Sequence, residues 1–160
     1  MNLIGKNAIV TGGGRGIGLA IGKKLVQEGC NLIIVESNKS LKNKILKCLK
    51  TNYEKVIFLE SDIGDPIARE KIFSKELHDF APIDILINNA RYKNKFQIEE
   101  PEHEWEKAIK ISLSAPFFLA RTVPWKIKKR IFYSSMASCL YLQVANQFPK
   151  CLLLLRRVGH

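Results

Sequence analysis

Thr11-Gly12-Gly13-Gly14-Arg15-Gly16-Ile17-Gly18 stands between the apolar run Ala8-Ile9-Val10 and an amphipathic run from Ile17 to Glu28. The order reads as strand, glycine turn, helix. Glycines let a backbone take positive φ and come close to a ligand. The free N–H groups and positive dipole end of the new helix then suit a pyrophosphate. An acidic residue, Glu36, follows 18 positions beyond Gly18, after a second apolar run. That context separates a nucleotide-binding turn from an ordinary strand-to-helix connection.

Outward from the turn, strands and helices alternate. Asn7 to Thr11 is the first strand, read as buried on both faces. The next helix places Ile17, Ile21 and Leu25 on one stripe with Ala20 beside them, and Gly29 at its C-terminal cap. Asn31 to Glu36 is the second strand. Ser37 or Asn38 caps a helix marked by Leu41, Ile45 and Leu49. Lys55 to Leu59 is the third strand, and Asp65-Pro66 starts a helix running from Ile67 to Phe80. Ile85-Leu86-Ile87 is the fourth strand. Glu102 to Arg121 is a long helix with a kink expected at Pro116. Arg130 to Ser134 is the fifth strand. The alternation predicts an α/β fold, a Rossmann-type doubly wound parallel sheet of about five strands in order 3-2-1-4-5.

The composition excludes several classes. The 160 residues suffice for one domain. No apolar run approaches the ~18 residues of a transmembrane helix, and Met1 to Lys6 is no signal peptide, so the chain reads as cytoplasmic with no membrane partner. Cys30, Cys48, Cys139 and Cys151 have no C-x-x-C pair, and His78, His103 and His160 have no ligand spacing, so neither a disulfide framework nor a metal site is expected. The net charge of +11 is unevenly spread: residues 1–106 carry 16 Lys/Arg against 15 Asp/Glu, and residues 107–160 carry 10 Lys/Arg and no acid. The basic segment lacks a recognisable nucleic-acid fold and interleaved aromatics, so no specific nucleic acid is expected.

Four motifs in order resemble the short-chain dehydrogenase/reductase family over about residues 3–138. Thr11-Gly12-x-x-x-Gly16-Ile17-Gly18 is similar to its cofactor motif, Asp62-Ile63 to its adenine-contacting element, and Asn88-Asn89-Ala90 to most of its N-N-A-G element. Ser134-Ser135-Met136-Ala137 resembles the segment whose second serine is catalytic. The resemblance implies NAD(P) held by Thr11, Gly12, Gly14, Arg15, Gly16, Ile17 and Gly18, together with Glu36, Asp62, Ile63, Asn89, Ala90 and Arg91. Asn88 is expected to tie neighbouring strands. Glu36 favours NAD, because a carboxylate at the strand end accepts from the ribose hydroxyls and repels a 2′-phosphate; Arg15 favours NADP. The implied reaction is hydride transfer between NAD(P)(H) and a small carbonyl or alcohol substrate, with Ser135 orienting the oxygen. The implied assembly is a homo-oligomer paired through the long helix, with an incomplete interface.

Three positions depart from the family pattern. Arg91 stands where the family has Gly, and Ser112 where it has a relay Asn. The family's proton-transferring Tyr-x-x-x-Lys is missing: 13 positions past Ser135 is Phe148, and four further is Leu152. A lysine ammonium there lowers the tyrosine pKa for general acid–base work worth ~10²–10⁴-fold. The expectation is therefore residues 1–138 as an NAD(P)-binding domain with impaired catalysis, and 139–160 as a basic, leucine-rich tail. The alternatives are a non-catalytic NAD(P)-binding module and a truncated or frame-shifted gene product.

Overall fold

The computed structural model describes residues 3–49, 55–72, 80, 82–92, 101–122 and 132–135. Five parallel strands form one sheet in the order β3-β2-β1-β4-β5: β1 (Asn7–Thr11), β2 (Asn31–Glu36), β3 (Val56–Glu60), β4 (Ile85–Asn88) and β5 (Phe132–Ser135). The fold class and strand order are those the alternation predicts. The third and fifth strands lie one or two residues later than expected. Thr11, Asn88 and Ser135 are register partners, so β1, β4 and β5 end level with one another. The chain reverses its direction of growth between β1 and β4, and open parallel sheets bind ligands at that switch point, beyond the strands' carboxyl ends.

Side-chain alternation gives the sheet two apolar faces. Ala8, Val10, Leu32 and Ile34 point to one side, where α1 (Gly16–Gln27) and α2 (Lys42–Cys48) supply Leu25, Val26 and Ile45. Ile9, Ile33, Val35 and Leu86 point to the other, against Ile63, Ile72, Phe80, Ala115 and Leu119. Burial on both faces explains why β1, β2 and β4 read as continuous apolar runs.

The helix starts follow capping rules. Asp65 accepts from the Ile67 amide at 2.9 Å ahead of Pro66, opening α3 (Pro66–Lys71). The rest of the helix expected up to Phe80 falls mostly on 73–79, outside the described residues. Asn38 accepts from the Ser40 amide at 3.0 Å, but it caps a 3₁₀ turn, Lys39–Leu41, that leads into α2. The long helix comprises α4 (Glu102–Ile109), a π turn over Lys110–Ser114, and α5 (Ala115–Thr122). Pro116 is the second residue after that turn, in the first turn of α5. A proline ring clashes with the carbonyl four residues back, and the wider π turn makes room for it.

The buried stripe of α1 differs from expectation. Ile17 is 54% exposed and Ala20 also faces out, while Gly18, Gly22, Leu25 and Val26 are buried. The cause is proximity: a Cβ on Gly22 would lie 3.2 Å from the side chains of both Ile34 and Leu32. Gly22 thus packs tightly on the sheet and Gly18 still more tightly on the Gly12 carbonyl, and Ile17, on another face of the helix, points outward.

Cys30 and Cys48 are free thiols in contrasting settings. Burial, reinforced by the Asp84 and Glu28 carboxylates, pushes the Cys30 thiol up to about 11. Native Cys30 thus keeps a proton that the unfolded chain releases at the ordinary thiol value. Its contribution to stability is fully present below that value and is lost as pH rises toward about 11. Brief alkylation near pH ~8, followed by peptide mapping, is expected to modify exposed Cys48 and spare Cys30 until denaturant is added. Equal labelling of the two would contradict the burial of Cys30.

Candidate nucleotide-binding site

The carboxyl ends of β1, β2, β3 and β4 and the start of α1 enclose a cleft of about 540 Å³. That volume is within the usual range for a small-molecule or cofactor site. Its floor is the glycine turn. Gly12 has φ +62°, and a Cβ there would come within 2.8 Å of the Ala90 Cα. A Cβ on Gly18 would lie 2.4 Å from both the Gly12 carbonyl oxygen and the Asn89 side-chain nitrogen. The turn therefore packs backbone to backbone against the loop after β4. Arg15 occupies the N-cap of α1 without a side-chain capping bond. The first N–H groups of a helix have no intrahelical partner, and these face a cleft lined by Gly16, Ile17 and Gly18.

Two polar residues hold the floor rigid. Thr11 is fully buried, and its hydroxyl accepts from the Asn89 and Ala90 amides, both at 3.1 Å. The Asn89 side chain donates to the carbonyls of Thr11 at 3.1 Å and Gly12 at 2.9 Å. Asn88 itself pairs in register with Thr11 of β1 and Ser135 of β5. Its Oδ1 is buried without a hydrogen-bond partner among the described residues, and the side-chain tie between β1 and the end of β4 is made by Asn89 and Thr11. The reason is position. Asn88 lies within the ladder, whereas Asn89 is just past it, beside unpaired carbonyls.

Two carboxylates line the opposite end. Glu36 accepts from the Gly14 amide at 3.1 Å through one oxygen and from the Asn38 amide at 3.3 Å through the other. This clamps the acid against the glycine turn with both oxygens directed by backbone donors. Asp62 accepts from the Gly64 amide at 2.8 Å, so it shapes a turn as well as lining the cleft.

Eleven of the expected residues line the cleft: Gly12, Arg15, Gly16, Ile17 and Gly18 from the turn, Glu36, Asp62 and Ile63 from the strand ends, and Asn89, Ala90 and Arg91 from the β4 loop. Thr11 and Gly14 sit behind this wall as supports. Ser112 lies in the π turn and accepts from the Tyr92 amide at 3.3 Å, fastening the β4 loop to the long helix. Ser135 ends β5 level with Asn88; its side chain, like Phe148, Leu152 and the tail 139–160, lies outside the described residues. Sequence reasoning missed Ser37 and Ser61, which follow Glu36 and Glu60 at the ends of paired strands and so share their level. It also missed Tyr92 and Ile111, which no local pattern marks because their approach is long-range. The Tyr92 hydroxyl bonds the Glu104 carboxylate, which also accepts from Lys107 at 2.7 Å and holds that ammonium above its ordinary pKa.

A doubly wound parallel sheet, a glycine turn at its switch point and an acid closing the second strand define a dinucleotide-binding class of protein. The family model for short chain dehydrogenase matches residues 6–138, and the chain belongs to that family. An uncharacterized oxidoreductase of Thermotoga maritima is 31% identical over 129 residues, covering 80% of this chain and 50% of the relative. Among solved structures, a 3-ketoacyl-(acyl-carrier-protein) reductase from Brucella melitensis complexed with NADH is 25% identical with a TM-score of 0.67, over 76% of this chain and 50% of its own. A blue fluorescent protein from a metagenomic library, in complex with NADPH, is 27% identical with a TM-score of 0.77, over 90% of this chain and 60% of its own. The chain spans about half the length of several curated relatives that it matches.

Proposed function

We propose that the chain carries the NAD-binding part of an oxidoreductase acting on a small carbonyl or alcohol. The observation that supports this best is the uncapped start of α1 facing a cleft whose floor admits only glycine at positions 12 and 18. The bound nicotinamide supplies hydride chemistry. Gly16, Ile17 and Gly18 hold the diphosphate by their amides, and Glu36 takes the adenosine ribose hydroxyls. Asp62 and Ile63 bound the adenine side, and Ala90 bounds the nicotinamide ribose. Glu36 favours NAD over NADP because its charge opposes a 2′-phosphate at the strand end. The related structures contain NADH in one case and NADPH in the other, so the preference rests on this chain's own acid.

Ser135 orients the substrate oxygen from the end of β5, and Ser112 stands in the relay position. The 160 residues contain no Tyr-x-x-x-Lys, so the proton step relies on solvent. Turnover is accordingly slower, by ~10²–10⁴-fold, than a positioned general acid allows. The free thiols of Cys30 and Cys48 fit a reducing, cytoplasmic setting. Self-association through the outer face of the long helix, where Leu113 of the π turn and Phe117 of α5 are exposed, belongs to the same reading. Steady-state NADH oxidation with a panel of small ketones and aldehydes tests the proposal. Slow, saturable turnover is expected, and Ser135→Ala is expected to lower kcat at least ~10-fold with NADH affinity unchanged. Equal kcat in the two proteins would remove Ser135 from the reaction.

A further inference from the structure

Arg91 is the residue of the cleft that the family pattern does not account for. It is exposed, lines the cleft, and has no hydrogen-bond or ion-pair partner among the described residues. The Arg15 side chain on the glycine turn is likewise exposed, lines the cleft and has no partner among the described residues. Neither pairs directly with the cleft's carboxylates: Glu36 accepts from the Gly14 and Asn38 amides and Asp62 from the Gly64 amide. Two guanidinium groups, unpaired among the described residues, therefore belong to the cleft at one helix N-terminus.

We propose that Arg91 is a phosphate clamp that holds the dinucleotide's diphosphate from the β4 side, beside the glycine turn. Its placement carries the assignment. Gly12 and Ala90 approach so closely that a Cβ on Gly12 would sit 2.8 Å from the Ala90 Cα. The residue after Ala90 is thus anchored beside the turn whose amides face the cleft. The anchor is stiff: Thr11 and Asn89 tie the start of the loop, and Ser112 ties the Tyr92 amide just beyond Arg91. A planar guanidinium with paired donors matches phosphate oxygens bidentately. A positive charge in the cleft onto which the start of α1 opens adds to the helix dipole in attracting an anion. The ligand class is a diphosphate-bridged nucleotide, and the inference rests on the nucleotide-site reading above.

Fluorescence or calorimetric titration of the purified chain with NADH and with ADP-ribose tests the clamp. ADP-ribose keeps the diphosphate and lacks the nicotinamide. Arg91→Met is expected to weaken both ligands about tenfold and to flatten the salt dependence of binding, with Arg91→Lys between it and wild type. Circular dichroism checks that the variants fold, as substitution of an exposed side chain predicts. Unchanged ADP-ribose affinity in Arg91→Met would overturn the clamp and direct Arg91 to an anionic substrate instead. Failure of the wild-type chain to bind either ligand would overturn the nucleotide-site reading itself, a distinct outcome.

Discussion

Gly18→Ala is expected to destroy the cleft. The added methyl would lie 2.4 Å from the Gly12 carbonyl oxygen and 2.4 Å from the Asn89 side-chain nitrogen. The first contact is with backbone that is itself fixed, because Gly12 donates to the Val35 carbonyl at 2.8 Å and β1 is paired on both sides. Rotating Asn89 away would break its bonds to Thr11 and Gly12. The start of α1 must therefore move off the sheet, drawing the Gly16 and Ile17 amides away from the cleft. Overpacking of this kind costs ~1–3 kcal/mol or more. Urea denaturation should show that loss, and NADH binding should fall below detection. Wild-type stability and affinity in Gly18→Ala would mean that α1 does not pack against the turn in this way.

Glu36→Gln is expected to reverse the coenzyme preference. The carboxylate oxygens are oriented by the Gly14 and Asn38 amides at the end of β2, where a ribose bound above the turn presents its hydroxyls. The amide retains the size and one acceptor but loses the charge. NADH should lose charge-assisted hydrogen bonds, a drop of about 10–100-fold in affinity. NADPH should gain, because the repulsion of its 2′-phosphate is gone while Arg15 remains in the same cleft. Parallel titrations of both coenzymes measure the ratio. An unchanged ratio would show that Glu36 serves only to brace the glycine turn.

What the sequence made legible follows from the range of each interaction. The strands of the parallel sheet were readable because strands buried on both faces must be apolar throughout, and Ile9-Val10, Leu32-Ile33-Ile34-Val35 and Ile85-Leu86-Ile87 are. The glycine turn and Glu36 were readable because their spacing is set by one strand-turn-helix-strand unit. The face of α1 was not, since a helical count favours Ile17 over Gly18. Only the Gly12 carbonyl oxygen, 2.4 Å from a Cβ on Gly18, shows that glycine is the residue that can be buried there. The bracing of the glycine turn by the Asn89 side chain was equally hidden. It depends on where the β4 ladder stops, and adjacent identical residues carry no signal of that. Tyr92 and Ile111 reach the cleft through the loop and the π turn, contacts with no periodicity to read.

The central claim is that this chain binds a nicotinamide dinucleotide at the end of β1. Isothermal titration of the unmodified 160-residue chain with NADH tests it most directly. The account predicts saturable binding at one site per chain, tighter than for NADPH and abolished in Gly18→Ala. No heat of binding with either coenzyme, from protein shown to be folded, would contradict it.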